Sequence, residues 1–260
     1  MTATLPPSLR RIRAMLLRHA YLLLGSWLRL LDLVYWPTVQ MILWGFITQF
    51  LVGRSGWVAQ AAGVFLSAIL LWDTLFRGQL GVSMCFLEEM YARHLGHLFV
   101  TPLRPWELVV ANFLVSALRV LIGVGGAALL AYPLFHYSLL GTLGWTIIPF
   151  FAVMMLFGWA IALVIAGLVI RLGLGAESLA WAAIFFIQPF SGVFYPIETL
   201  PPAVRWIAWL LPSAPVFEGM RAVVVEHRFD LGLLLAACLA LAAWLVVAAA
   251  VFGLLFRSAR

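Results

Sequence analysis

Three ionisable side chains fall inside stretches that are otherwise apolar: Asp73 and Arg77, four residues apart, and Arg119 near the middle of a later run. Charge at membrane depth is costly, so such residues are paired or functional. Asp73 can pair with Arg77 or Arg119 to hold helices together, or Arg77 can extend its head toward the cytoplasm. A carboxyl free to take up and release a proton would instead make Asp73 the coupling site of a proton-driven transporter. Glu88, Glu89, Arg93, His94 and His97 form a second charged group. His94 and His97 have the i,i+3 spacing of a metal pair, but no third ligand lies nearby, and no metal is expected. Catalysis has little to work with. There is no Gly-x-Ser-x-Gly elbow, no His-Glu-x-x-His helix and no aspartate pair for pyrophosphate chemistry, and Ser191-Gly192 has no histidine base at its depth. All sixteen basic residues are arginine. A Walker A loop requires lysine, so these residues build no ATPase site of that kind, and no catalytic residue is assigned.

Aromatic residues offer a different chemistry, stacking and apolar contact with sugar rings or lipid tails. Trp72, Trp159 and Trp181 are the deeper tryptophans; with Phe194, Tyr195, Pro196 and Glu198 they form the candidate pathway and gate. Trp27, Trp36, Trp57, Trp106, Trp145, Trp206 and Trp209 fall near predicted interfaces, where indoles anchor helices.

The elements that must position these groups are membrane helices. Hydrophobic residues make up 65% of the chain and charged residues 10%, against roughly half and a quarter in soluble domains. The net charge of +6 does not indicate nucleic acid, because the arginines lie between apolar runs, where they set topology. Six spans follow: Leu33 to Val52, Gln60 to Val82, Leu108 to Tyr132, Leu143 to Ile170, Ser178 to Tyr195 and Leu231 to Phe256. Arginines before the first span, after the second and fourth, and at the chain end place those segments and both termini in the cytoplasm. Cys85 and Cys238 are small packing residues. No linker or repeat divides residues 1–260, so a single all-α membrane domain is expected.

Three segments depart from plain spans. Residues 8–31 carry Arg11, Arg18 and Arg29 near one face and Ile12, Met15, Leu16, Leu23 and Leu30 opposite, the pattern of an amphipathic helix lying in the interface. Tyr35, Trp36 and Pro37 mark its turn into the first span. Residues 86–100 form a short cytoplasmic helix that ends before Thr101-Pro102. Residues 189–225 are too apolar for an exposed loop and too interrupted by proline for a span, so they form a re-entrant helical hairpin between spans five and six. Backbone of that kind survives at membrane depth only beside protein or a water-filled path.

Two motifs resemble the integral-membrane permease subunits of type-2 ATP-binding-cassette (ABC) exporters. One is LFVTPLRPWELVVAN, Leu98 to Asn112; the other is FFIQPFSGVFYPIETLPPAVRWIAWLLPSAPVFEGMR, Phe185 to Arg221. The resemblance implies a permease in the inner (plasma) membrane, built from two copies of the chain or from the chain and a close relative. Two cassette ATPase subunits would supply ATP and Mg chemistry that this chain lacks. It further implies that the N-terminal helix and Glu88, Glu89, Arg93, His94 and His97 form the ATPase-coupling surface, and that the hairpin caps the outer end of the path. Many members carry Gly-Thr-Leu-Glu where this chain has Arg93, His94, Leu95 and Gly96, so the acidic docking contact passes to Glu88 or Glu89. The expected cargo is a lipid, a glycan-lipid or polysaccharide, or a hydrophobic drug. Proton-coupled transport through Asp73 is the alternative.

Overall fold

The computed structural model describes residues 6–52, 58–91 and 104–258. Every regular element among them is helical. Helix α1 (Pro7–Leu24) starts at a proline, which suits a first turn whose amide has no partner. It stops at Gly25-Ser26, and α2 (Trp27–Val52) begins at once. The interfacial helix is therefore shorter than the 8–31 expected, because the Gly-Ser pair interrupts it and residues 27–31 belong to α2. Tyr35 and Trp36 lie within α2, and Pro37 is an internal residue of that helix, not its entry. Membrane helices tolerate such prolines because neighbouring helices shield the freed backbone.

Helix α3 (Val58–Tyr91) runs for 34 residues, about 51 Å at 1.5 Å per residue. Phe86 to Tyr91, expected as the start of a separate coupling helix, continue α3; the rest of that helix, with Arg93, His94 and His97, lies outside the described residues. Next come α4 (Pro105–Phe135), the short α5 (Leu139–Leu143) and α6 (Ile147–Leu172). Helix α7 (Glu177–Ile187) has only 11 residues and ends in a 3₁₀ turn at Gln188–Phe190. The span expected over Ser178 to Tyr195 is thus helical to Phe190 and then turns, where Pro189 and a left-handed Gly192 (φ 73°) prevent its continuation. A second 3₁₀ turn (Ile197–Thr199), α8 (Pro202–Trp209), α9 (Ser213–Glu226) and α10 (Leu231–Ser258) complete the chain.

Among the described residues, four runs are long and apolar enough to cross a membrane: Trp27–Phe50, Trp106–Phe135, Leu139–Leu172 and Leu231–Ser258. Their burial sorts them. The most apolar window of Leu139–Leu172 is 67% buried, against 17% in Trp27–Phe50 and Leu231–Ser258, so α6 is the central helix while α2 and α10 face outward. Phe150, Met154 and Phe157 of α6 pack with Leu71 and Leu75 of α3, Phe217 and Met220 of α9, and Leu241 of α10. At Gly158, α6 meets the backbone of α3: a Cβ there would lie 2.6 Å from the Leu75 carbonyl oxygen and 2.9 Å from the Gln79 nitrogen. Small residues that let backbones touch are a standard means of joining membrane helices. Helix α4 joins the same pair through Ser116, whose hydroxyl donates to the Gly78 carbonyl of α3 at 3.0 Å and accepts from Trp159 Nε1 of α6 at 3.3 Å.

Candidate functional site

At the end of the bundle where α4 begins, α1 is tied down by charge and by packing. Pro105 occupies the first turn of α4, and Glu107 folds back to accept the Arg104 amide at 2.9 Å, closing the helix start. The same carboxylate receives a two-pronged bond from Arg11, Nε to Oε2 at 2.8 Å and Nη2 to Oε1 at 2.6 Å. Arg11 Nη2 also reaches the Ser8 hydroxyl at 3.3 Å. The Glu107 side chain is fully buried while that of Arg11 keeps some exposure. The hydrogen bonds it donates to the Glu107 carboxylate hold the Arg11 guanidinium above its ordinary pKa. Beside the pair, Ile12 and Met15 pack on Ala111. These contacts fasten α1 to the first turns of α4. Arg11→Ala should free it: amide exchange across Pro7–Leu24 rises at least about ten-fold while α6 stays protected, as hydrogen exchange with mass spectrometry would record. Unchanged exchange in α1 would remove the clamp from the argument.

At the opposite end, the broken segment between α7 and α9 is closed by two side chains of α9. Arg221 donates to the Gly192 carbonyl from Nη1 at 2.9 Å and from Nη2 at 2.5 Å, and to the Tyr195 carbonyl at 2.7 Å. Glu218, 3.4 Å from Arg221, accepts the Ile197 amide at 2.8 Å. Burial pulls the Arg221 guanidinium below its ordinary pKa, and Glu218 opposes that shift. Tyr195 donates to the Pro189 carbonyl at 2.5 Å, and Phe194 stacks on Trp44 of α2 with ring centroids 5.0 Å apart. Arg205 of α8 caps the Glu198 and Leu200 carbonyls, and Trp244 of α10 donates to the Leu210 carbonyl at 2.9 Å. Non-helical backbone thus finds its partners in protein, which is the condition for its presence beside a membrane path.

The three charges expected at membrane depth are divided. Arg77 Nε donates to Asp73 at 2.6 Å, so the aspartate pairs within α3 and not with Arg119. Arg119 faces a cavity of about 460 Å³, shared with Leu23, Leu28, Arg29, Asp32, Leu33, Arg77 and Glu88 among others.

A family model for the ABC-2 type transporter matches residues 13–225, from within α1 to the last turn of α9. The chain belongs to the ABC-2 type transporter family. No curated protein matches it. As an ABC-2 membrane domain it is a multi-pass permease subunit, a transport component that works with an ATP-binding-cassette subunit.

Within this ABC-2 permease the aromatic candidates do not converge. Trp159 stacks on Phe113 with centroids 4.5 Å apart and binds Ser116, a packing role between α4 and α6. Trp72 packs against the main core, and Trp181 lies on the half-exposed side of α7 against Phe76. Phe194 and Tyr195 belong to the closed turn, Pro196 is exposed, and Glu198 takes part through its carbonyl. Of the coupling set, Glu88 lines the cavity; Arg93, His94 and His97 lie outside the described residues, as does the Glu89 side chain. In the sequence, Arg11 counts only as one arginine on the polar face of residues 8–31, and Glu107, Glu218 and Arg221 only as parts of the two motifs, none of them as a site residue. Glu107 was nevertheless marked, because Arg104-Pro105 followed by an acid at the third helical position is a helix-start signal.

Proposed function

We propose that this chain is the six-span permease subunit of an ATP-driven exporter, with α3 and α7 completing the spans and both termini in the cytoplasm of an inner-membrane protein. Two copies, or this chain and a close relative, enclose the path above two cassette ATPases, which carry ATP and Mg. The carrying observation is the extent of the family match, which begins in the clamped α1 and ends just beyond Arg221. ATPase movement reaches the chain through residues 86–100 and through α1, which the Arg11–Glu107 pair joins to α4. Packed helices carry it as rigid-body motion. The segment from 189 to 225 is then the re-entrant plug at the outer end, and the cargo is a lipid, a glycan-lipid or polysaccharide, or a hydrophobic drug. Proton coupling through Asp73 is the competing mechanism, and the bond from Arg77 gives that carboxylate a structural partner instead.

Inverted vesicles holding the permease with or without a partner cassette ATPase decide between the two. Uptake of fluorescent lipid or glycan-lipid that requires ATP and stops when the ATPase is omitted supports export. Uptake that runs without ATP and follows an imposed pH gradient replaces this mechanism with the proton-coupled one.

A further inference from the structure

The cavity at the α1–α2 elbow combines features that the permease reading does not use. Arg119 comes from α4, Arg77, Leu80, Met84 and Glu88 from α3, and Arg29, Asp32 and Leu33 from α2. The Arg119 guanidinium has no hydrogen-bond or ion-pair partner among the described residues, and its Nε is buried without an acceptor. A buried donor on a cation is among the more expensive groups to leave unmatched. Asp32 and Glu88 line the same space, yet neither forms an ion pair with it. Arg29, exposed at the elbow, has only a 3.3 Å bond to the Leu22 carbonyl.

Above Arg119 the space is shut. Gly123, one turn further along α4, comes so near α2 that a Cβ would sit 2.8 Å from the Leu33 carbonyl oxygen and 3.3 Å from Pro37. Leu23 and Leu28, on either side of the Gly25-Ser26 elbow, also line it. From Glu88 to Arg77 is eleven residues of α3, about 16 Å, close to half the hydrocarbon thickness of a bilayer. The cavity is therefore bounded on one side by the close approach at Gly123, with charged and apolar residues in its walls and a part-buried, unpaired guanidinium among them. Its volume suits a small polar head and not a polymer.

We propose that this slot binds the phosphate of an amphiphile, with the phosphate on Arg119 and the apolar tail along Leu23, Leu28, Leu80 and Met84. Guanidinium is the side chain best shaped for phosphate oxygens. Asp32 and Glu88 balance Arg29 and Arg119, and Asp73 offsets Arg77, so a bare anion gains little net attraction. The slot selects a head that carries hydrogen-bond donors, such as hydroxyls, beside its phosphate. This assignment rests on the permease reading, whose cargo class it narrows.

Binding to the purified full chain in phosphatidylcholine nanodiscs tests it without ATPase or transport, so its failure is separate from failure of ATP-driven export. The probe is fluorescent lysophosphatidylglycerol, followed by anisotropy. Loss of one charge-assisted contact predicts that Arg119→Gln weakens binding at least about ten-fold, while Arg119→Lys, which keeps the charge but loses the planar fork, weakens it by about three-fold to ten-fold. Monoacylglycerol, which lacks phosphate, and inorganic phosphate, which lacks a tail, should each fail to displace the probe. Equal binding by a folded Arg119→Gln variant would overturn the assignment. Displacement by monoacylglycerol would make the slot a tail site only, and displacement by inorganic phosphate a free-anion site only; either also rejects it. The Arg119→Lys and competitor arms stand even if Arg119→Gln does not fold.

Discussion

Gly158→Leu removes the folded protein from the membrane. A Cβ at this position would lie 2.6 Å from the Leu75 carbonyl oxygen, 2.9 Å from the Gln79 nitrogen and 3.4 Å from the Gly78 carbonyl carbon. Overpacking against side chains costs about 1–3 kcal/mol because they can change rotamer. Backbone has no such freedom, so α3 must move away from α6 and take with it the contacts of Leu71, Leu75, Met154 and Phe157. The expected loss exceeds about 3 kcal/mol, a large part of a typical stability of about 5–15 kcal/mol. Gly125→Leu is the control, since nothing lies within 4 Å of a Cβ there; it should stay within about 0.5 kcal/mol. Fluorescence-detected size exclusion of the two variants in detergent, with a thermal ramp, gives the comparison. Equal yield and equal melting would show that the close approach of α3 and α6 is not what holds the bundle.

The second large effect falls on the outer turn. Arg221→Met keeps the length of the side chain but leaves the Gly192 and Tyr195 carbonyls without their donor, and Gly192 is buried. Glu218→Gln keeps an acceptor for the Ile197 amide and weakens only the charge. The arginine change should therefore cost about 3 kcal/mol and the glutamate change about 1 kcal/mol. Because the turn also carries Phe194 against Trp44, the Arg221→Met variant should lose most ATP-dependent uptake, at least about ten-fold, and gain protease sites between residues 189 and 212 while α6 stays intact. Full transport with a cleavable turn would dissociate the plug from the path.

Much of this arrangement was legible because bilayer helices announce themselves by composition. The apolar runs located α2, α3, α4, α6 and α10; of the face expected for residues 8–31, Ile12 and Met15 are buried, whereas Leu30 is exposed and belongs to α2. Prolines and glycines flagged the broken segment after Pro189, although the end of α7 was placed too late because Phe190 to Tyr195 is as apolar as a helix interior. Punctuation at Gly25-Ser26 was passed over in favour of the aromatic-proline cluster at Tyr35 to Pro37, which α2 absorbs without a break. The polar contacts were harder. Arg11 and Glu107 are 96 residues apart and Arg221 and Gly192 are 29, and no periodicity carries a partnership over such distances. Trp159 looked like a path residue because it is deep; its ring is occupied by Phe113 and its nitrogen by Ser116. Depth alone does not distinguish a lining residue from a packed one.

The hydroxyl of Ser116 is shared among three helices, donating a hydrogen bond to α3 and accepting one from α6 while rooted in α4. Such a junction resists sliding of the three helices past one another, so movement is expected to be larger at the periphery than within the trio. It follows that inherited variation should be scarcer at this one small alcohol than at the larger, more conspicuous rings around it, and that drift in the family would accumulate on the outward-facing helices α2 and α10.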